Sequence, residues 1–425
     1  MIKNIQENLQ KRTLKFVIFM MMFWSFTSVG KASDYIVSPG SKMSIITCTP
    51  GPDLYSLFGH TAIRFQDTVN GKYLDLVYNY GTFIFDEDFY VKFARGKLDY
   101  ILNREKFGDF QQEYIATGRG IYEQQLLLTR EERQILFDLL EENADPANRT
   151  YRYDFFYDNC ATRIRDVIIR ATSGKSQPDG LGFVYVSPDQ INAANRINFS
   201  YVYPQEFTFR HAIQNYLQYQ PWSDFGIDLA LGIPCDRVME KGQAMFLPDS
   251  LMRDFNYAIY QEQQLTSTAE EVLPQEYEPE NLTVFTPLVV MSLVLVLHVI
   301  FVRLIEKRSQ VGISTRIIFF LTGLLGIFVV FLWFFTDHQA TKWNLNLIWA
   351  NPLNLILAFV PAKLYSGFWL KWLKIYFYLM VAMLLLWFVL PQTMHPAIIP
   401  LTVALLISIL KLIKPHYLGF KTKTL

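Results

Sequence analysis

Residues 154–165 read DFFYDNCATRIR, an aromatic run that halts at two helix-capping residues just before a cysteine. Asp158 and Asn159 are both good N-caps, because their short polar side chains accept from the orphan N–H groups of a first helical turn. Beyond them Ala161, Ile164, Val167 and Ile168 recur at helical spacing. Cys160 therefore falls in the first turn of a helix, where unpaired N–H groups and the positive end of the helix dipole favour a thiolate. The plainer alternative is a buried cysteine serving as a small hydrophobe, as most free cysteines do. A candidate base elsewhere in the chain is needed to separate the two.

Working outward, the 425 residues suffice for two ordinary domains, and the formal net charge of zero gives no reason to expect a nucleic acid partner. Aromatic residues are plentiful, with 35 Phe and 24 Tyr, and apolar residues are distributed unevenly. Residues 1–33 carry a basic start (Lys3, Lys11, Arg12, Lys15), an apolar core over 16–24, and small residues Gly30 and Ala32 spaced as at a cleavage site. That pattern reads as a secretory signal peptide, with an uncleaved anchor as the alternative. Residues 34–269 read as a globular exported domain, 270–283 as an acidic exposed linker, and 284–425 as membrane. Of the three cysteines, Cys48 and Cys235 are the simplest disulfide pair in an oxidising compartment, leaving Cys160 free. No His/Cys cluster has metal-ligand spacing, and Asp86-Glu87-Asp88 reads as a solvated helix start.

Within the exported domain, Ser44–Cys48 reads as a buried strand, and Thr61 onward alternates apolar and polar residues. Asn70-Gly71 marks a turn, and a second strand runs over 73–80, giving a β-hairpin. Pairing Gln66 with Tyr73 places Asn79 directly opposite His60 and Arg64 opposite Asp75. Opposed side chains lie about 5 Å apart, so Asn79 is expected to hold one imidazole nitrogen and fix the tautomer. A structural histidine on a half-buried strand is the alternative. Only two of the six histidines, His60 and His211, lie in this domain, and His60 stands at a Gly-His turn into a strand. Thr129-Arg130-Glu131-Glu132 is a capping box opening a helix with Ile135, Leu136, Leu139 and Leu140 inward.

Five apolar segments follow near 284–302, 317–335, 345–361, 375–390 and 398–413. Basic residues gather between the first two (Arg303, Lys307, Arg308, Arg316), between the third and fourth (Lys363, Lys371, Lys374), and at the C-terminus. The positive-inside rule then puts those loops and the C-terminus in the cytoplasm, and the exported domain outside. The outer loop TDHQATKWNLNLIWANPL (residues 336–353) groups Asp337, His338, Asn344 and Asn346 at the membrane surface. Ordinary interfacial polarity explains it as readily as a substrate-binding role for those four side chains.

A thiol at a helix start, a histidine on a strand and a polar orienting group compose a site for acyl transfer through a thioester. Histidine before cysteine is the order of the permuted papain-like proteins of the NlpC/P60 and lecithin–retinol acyltransferase type. The segments GPDLYSLFGHTAIRF, YNYGTF, KFARGKLDY and YDFFYDNCATRIRD, with the outer loop, resemble the Lnb family of Bacteroides-type bacteria, lipoprotein N-acyltransferases with an N-terminal periplasmic domain. The resemblance implies an α+β, permuted papain-like exported domain followed by an all-α membrane domain of about five transmembrane helices. It also implies His60 and Cys160 as the catalytic dyad of a multi-pass inner-membrane enzyme needing no cofactor. Its partners would be a diacylated lipoprotein, whose free α-amine takes a fatty acyl chain, and a phospholipid or other lipid donor. Asn79 as third member rests on the hairpin register alone. A membrane-tethered thiol hydrolase, peptidase or phospholipase, is the rival activity.

Overall fold

The computed structural model describes residues 35–83, 87–173, 197–204, 207–278, 283–306, 311–361 and 367–417. The expected signal peptide and the end of the linker lie outside them. The N-terminal domain is built on a seven-stranded antiparallel sheet whose first strands are β1 (Lys42–Cys48), β2 (His60–Val69) and β3 (Lys72–Phe83). Helix α1 (Phe89–Ala94), strand β4 (Asp99–Lys106), helix α2 (Phe107–Thr117) and strand β5 (Ile121–Gln125) follow. Next come α3 (Arg130–Ala144), β6 (Thr150–Arg152) and the cysteine helix α4 (Cys160–Thr172). A short ribbon β7 (Ile197–Phe199), β8 (Ala258–Tyr260), β9 (Gln263–Gln264) packs beside the sheet. Between β7 and β8 lie α5 (Phe209–Leu217), α6 (Pro221–Ala230) and α7 (Pro248–Asn256).

The sheet order is β10-β5-β1-β2-β3-β4-β6, where β10 is Glu270–Leu273. Strand β1 is an inner strand buried along six of its seven residues, so both of its faces are covered and even Ser44 and Thr47 lie inside. The main core lies between one sheet face and helices α3 and α4, joining Ile45, Ile63, Phe65 and Tyr78 to Leu136, Leu140, Ile164 and Val167. The other face is covered by α2, through Ile46, Cys48, Ala62 and Val77 against Phe107, Phe110 and Tyr114. The capping box at Thr129 forms as expected, its hydroxyl accepting from Glu132 N–H and Glu132 returning the bond.

Three expectations are corrected. The hairpin forms around a two-residue turn, Asn70-Gly71, but Val69 rather than Gln66 ends the first strand, so Gln66 faces Asp75 and Thr68 faces Tyr73. The register is displaced by two residues, because the polar stretch read as a long turn is paired strand. All three cysteines are free: Cys48 sits in β1 under α2, and Cys235, in a separate cluster, donates its S–H to the Ala340 carbonyl at 3.4 Å. The acidic stretch read as linker begins with β10, which pairs with β5 at the sheet edge, where a strand half open to water tolerates glutamates. Glu276 and Tyr277 then donate their N–H groups to the Gly118 carbonyl.

The C-terminal domain holds α8 (Pro287–Ile300, continued by one π turn, Phe301–Ile305), α9 (Ile313–Phe334), α10 (Leu353–Phe359), α11 (Gly367–Leu385) and α12 (Ile398–Tyr417). Three of these, 287–305, 313–334 and 367–385, are long and apolar enough to cross a membrane, and 398–413 is a shorter apolar helix. The third expected span, 345–361, breaks into a 3-10 turn and the seven-residue α10, too short to cross a membrane alone. Helix α10 instead packs into α9 over glycines: a Cβ at Gly323 or Gly326 would come within 2.2–2.3 Å of the backbone of Leu355 or Ala350.

The two domains are joined by a buried polar seam. Arg210 on α5, 0% exposed, donates to Asp228 of α6 at 2.7 Å and to Asp236 at 3.0 Å, and Asp236 accepts the N–H of Thr393 from the turn before α12. Removing the guanidinium leaves two carboxylates with little to compensate them. We expect Arg210→Met to destabilise the purified protein by about 3–5 kcal/mol, read by chemical denaturation in detergent. A loss below about 1 kcal/mol would contradict this role for the seam.

Candidate functional site

Cys160 opens α4 as expected. Asn159 is the N-cap, its side chain accepting from Thr162 N–H at 2.9 Å while the Thr162 hydroxyl accepts from Asn159 N–H at 2.8 Å. Asn159 also donates to the carbonyls of Phe155 and Phe246, both at 2.8 Å, which pins the chain entering the helix. One residue earlier, Asp158 holds Arg163 through two bonds of 2.6 and 2.8 Å, and the Arg163 guanidinium stacks 3.7 Å over Tyr151. The first turn is thereby fixed by side chains on both flanks.

His60 begins β2, opposite Cys48 of β1. Its Nε2 lies 2.7 Å from Asn79 Oδ1. The contact anticipated from the hairpin is present although its register was not, because a two-residue slip keeps every side chain on its face. Asn79 is fixed in turn by Glu105 of β4, which accepts from Asn79 Nδ2 at 3.1 Å. A carboxylate can only accept, so the amide nitrogen faces Glu105 and the amide oxygen faces the ring. His60 therefore carries its proton on Nε2, and Nδ1 keeps the lone pair.

The two reactive side chains converge on Gly81. A Cβ placed there would lie 3.4 Å from His60 Cε1 and 3.7 Å from Cys160 Cβ, and Gly81 itself has φ +95°. The left-handed backbone is what favours glycine here; a Cβ at those distances would touch both side chains at ordinary van der Waals contact. Gly81 lies at the irregularity where β3 shifts register against β4.

Both groups are withdrawn from water yet keep partial exposure. Burial pushes the Cys160 thiol up to about 11, while the backbone N–H groups of Thr61, Ala161 and Cys160 pull the other way. Burial lowers His60 to about 4, with the Asn79 bond opposing. The thiolate expected at the helix start is thus not the resting form, because desolvation outweighs the helix terminus. At rest the pair is a neutral thiol beside a neutral imidazole. Arg119, 4% exposed, adds a positive charge that favours the thiolate at Cys160 and opposes protonation of His60. It donates to the Thr49 carbonyl at 2.8 Å and lies 4.7 Å over Tyr114, and its Nη2 has no hydrogen-bond partner among the described residues. Gly81, Glu105 and Arg119 were not singled out from sequence, since none carries a reactive group and their roles arise from cross-strand placement.

The four outer-loop residues stand apart from this pair. Asp337 N–H donates to the Arg95 carbonyl at 3.0 Å and its carboxylate faces Arg152 at 3.5 Å, while the His338 ring covers Gly96. Asn344 and Asn346, each 1% exposed, are held by hydrogen bonds at both ends of their amides. Asn344 donates to the carbonyls of Leu229 and Ala230 and accepts from Asn346 N–H and Gln392; Asn346 donates to the carbonyls of Asp228 and Leu229 and accepts from Trp349. These carbonyls end α6 and lack partners within their own helix. The asparagines bolt the domains together, and among their side-chain groups only the second lone pair of Asn346 Oδ1 has no partner among the described residues.

Fold and site together define a two-part membrane protein with a cysteine–histidine pair in its sheet domain. Residues 36–186 match the family model of the Lnb N-terminal periplasmic domain, and residues 278–416 match that of the Lnb transmembrane domain. The chain belongs to the Lnb family, an inner-membrane protein with a periplasmic domain. No curated protein and no solved structure matches it.

Three outcomes follow from the geometry and electrostatics of the pair. Gly81→Ala sets a methyl against both side chains on a backbone that strains any residue with a Cβ, and the resulting shift should slow any reaction of the pair about a hundred-fold, with the periplasmic domain still folded by circular dichroism; an unchanged rate would contradict the placement. Alkylation of Cys160, followed by peptide mass spectrometry, should rise about ten-fold per pH unit through pH 8–10 as the thiolate fraction grows. A plateau near neutrality would instead mean a preformed thiolate. Any reaction that uses His60 as its base should lose kcat/KM on the acid side only as pH approaches about 4, where the ring takes up a proton.

Proposed function

We propose that this protein is a lipoprotein N-acyltransferase, moving a fatty acyl chain from a phospholipid or other lipid donor through a Cys160 thioester to the α-amine of a diacylglyceryl-cysteine lipoprotein. The observation that carries the reading is the meeting of Cys160 and an Asn79-held His60 over Gly81, in a domain bolted to membrane helices. Family membership supports it. We further assign the domain to the permuted papain-like class, with the histidine strand preceding the cysteine helix, and place the C-terminus in the cytoplasm from the distribution of basic loops.

The chemistry proceeds in two halves. His60 Nδ1 takes the Cys160 proton as sulfur attacks the donor's ester carbonyl. The carbonyl oxygen becomes an oxyanion, and the N–H groups at the α4 start are the donors at hand to receive it. The glycerol oxygen leaves with the proton from His60, and the acyl group stays on sulfur. The acceptor amine, neutral when it attacks, then gives a proton to His60 as its C–N bond forms, and sulfur departs as thiol. A site that keeps both members neutral at rest avoids burying an ion pair until the donor arrives.

Membranes carrying the protein, incubated with a synthetic diacylated lipopeptide, should yield a product heavier by one fatty acyl chain. Cys160→Ala and His60→Ala should each lower that yield by about a thousand-fold or more. Free fatty acid or cleaved peptide without acylated product would identify a hydrolase, and full activity in both variants would end the enzymatic reading.

A further inference from the structure

A cavity of about 680 Å³ opens where α6 of the periplasmic domain meets the outer ends of the membrane helices. The start of α8 and the turn between α11 and α12 form its other walls. Its level is that of lipid headgroups: Pro287 begins α8 here, and Phe388 is 96% exposed on the lip. One wall is acidic. Asp228 is matched by Arg210 at 2.7 Å and Gln214 at 3.1 Å, and Asp236 shares the same guanidinium. Asp224 is unmatched: its Oδ1 is buried with no hydrogen-bond partner among the described residues, and its Oδ2 lies 3.6 Å from His395 Nε2, beyond a hydrogen bond. His395 is locked by its own Nδ1, which accepts from Ala397 N–H at 3.1 Å, so Nε2 carries the proton facing Asp224. Burial, the neighbouring Asp228 and the opposing Arg210 leave Asp224 raised to about 6, so it is anionic at neutral pH. One guanidinium thus faces three carboxylates, and the excess charge is negative. Leu288, Trp387 and Phe388 give the lining its apolar part.

We propose that this cavity binds the primary ammonium of a lipid, with Asp224 receiving the charge and the Leu288–Trp387–Phe388 wall receiving the adjoining apolar body. A carboxylate short of donors is costly, and an ammonium that reaches the exposed edge of Asp224 from the cavity supplies both a donor and the countercharge. A hard divalent cation fits poorly, because it wants six or more oxygen ligands and one free carboxylate beside aromatic rings does not provide them. Two lipids share this chemistry, an aminophospholipid and a lipidated peptide with a free N-terminal amine. The ligand classes rest on the acyl-transfer reading; the binding does not, since it is read without turnover.

The test is native mass spectrometry of the full-length Cys160→Ala protein in detergent, so that no acyl group moves. Phosphatidylethanolamine is compared with phosphatidylglycerol of the same chains, and a free-amine diacyl lipopeptide with its N-acetylated form. We expect the amine-bearing member of at least one pair to bind about ten-fold tighter. Preference in the first pair alone identifies the phospholipid headgroup, in the second alone the acceptor amine, and in both a shared site. Asp224→Asn should cut the preference below about two-fold, as should Leu288→Arg, which sets a cation on the exposed lip without altering the buried wall. Absence of any amine preference in the parent protein, or a preference that survives both substitutions, overturns the proposal. Neither result touches the lipopeptide acylation assay, so the two readings fail separately.

Discussion

The gap above Gly81 is the constraint on which the site depends. Strand β2 delivers His60 from one side and helix α4 delivers Cys160 from another, and the two meet where the sheet offers no side chain. Each approach is anchored independently, His60 by the Asn79–Glu105 relay and Cys160 by the Asn159 cap with the Asp158–Arg163 clamp. Shared burial then sets the chemistry. It raises the thiol and depresses the imidazole, so the proton rests on sulfur.

A second constraint holds the sheet domain at a fixed height over the membrane. The last carbonyls of α6 need donors, and the outer loop supplies them from Asn344 and Asn346. Gln392, from the turn before α12, reaches the same seam and donates to the Leu231 carbonyl. At the far end of the loop, Asp337 and His338 lie against the turn between α1 and β4. Such a bolted junction fixes how the sheet domain sits on the membrane helices.

Much of this was legible in the sequence, and the misses have physical causes. Cys160 inside its cap and the Asn79 partner of His60 were readable because capping chemistry is local and strand faces alternate with a period of two. The same periodicity spared the Arg64–Asp75 pair, which closes at 2.7 Å despite the displaced register. Arg163, Arg165 and Asp166 were unreadable as core: α4 is buried nearly all round, and its charges are matched inside the protein. The asparagines of the outer loop looked free for a ligand because nothing local reveals that a helix more than a hundred residues earlier needs its carbonyls capped. The broken third apolar segment escaped notice because hydropathy measures apolar length and not helix continuity.

The most direct test of the central claim is the intact mass of the purified protein after exposure to phospholipid vesicles with no amine acceptor present. A mass increase of one fatty acyl chain is expected, mapped to Cys160 and discharged by hydroxylamine at neutral pH. An unmodified Cys160 under those conditions, or an adduct that persists after Cys160→Ser on some other residue, would contradict that claim.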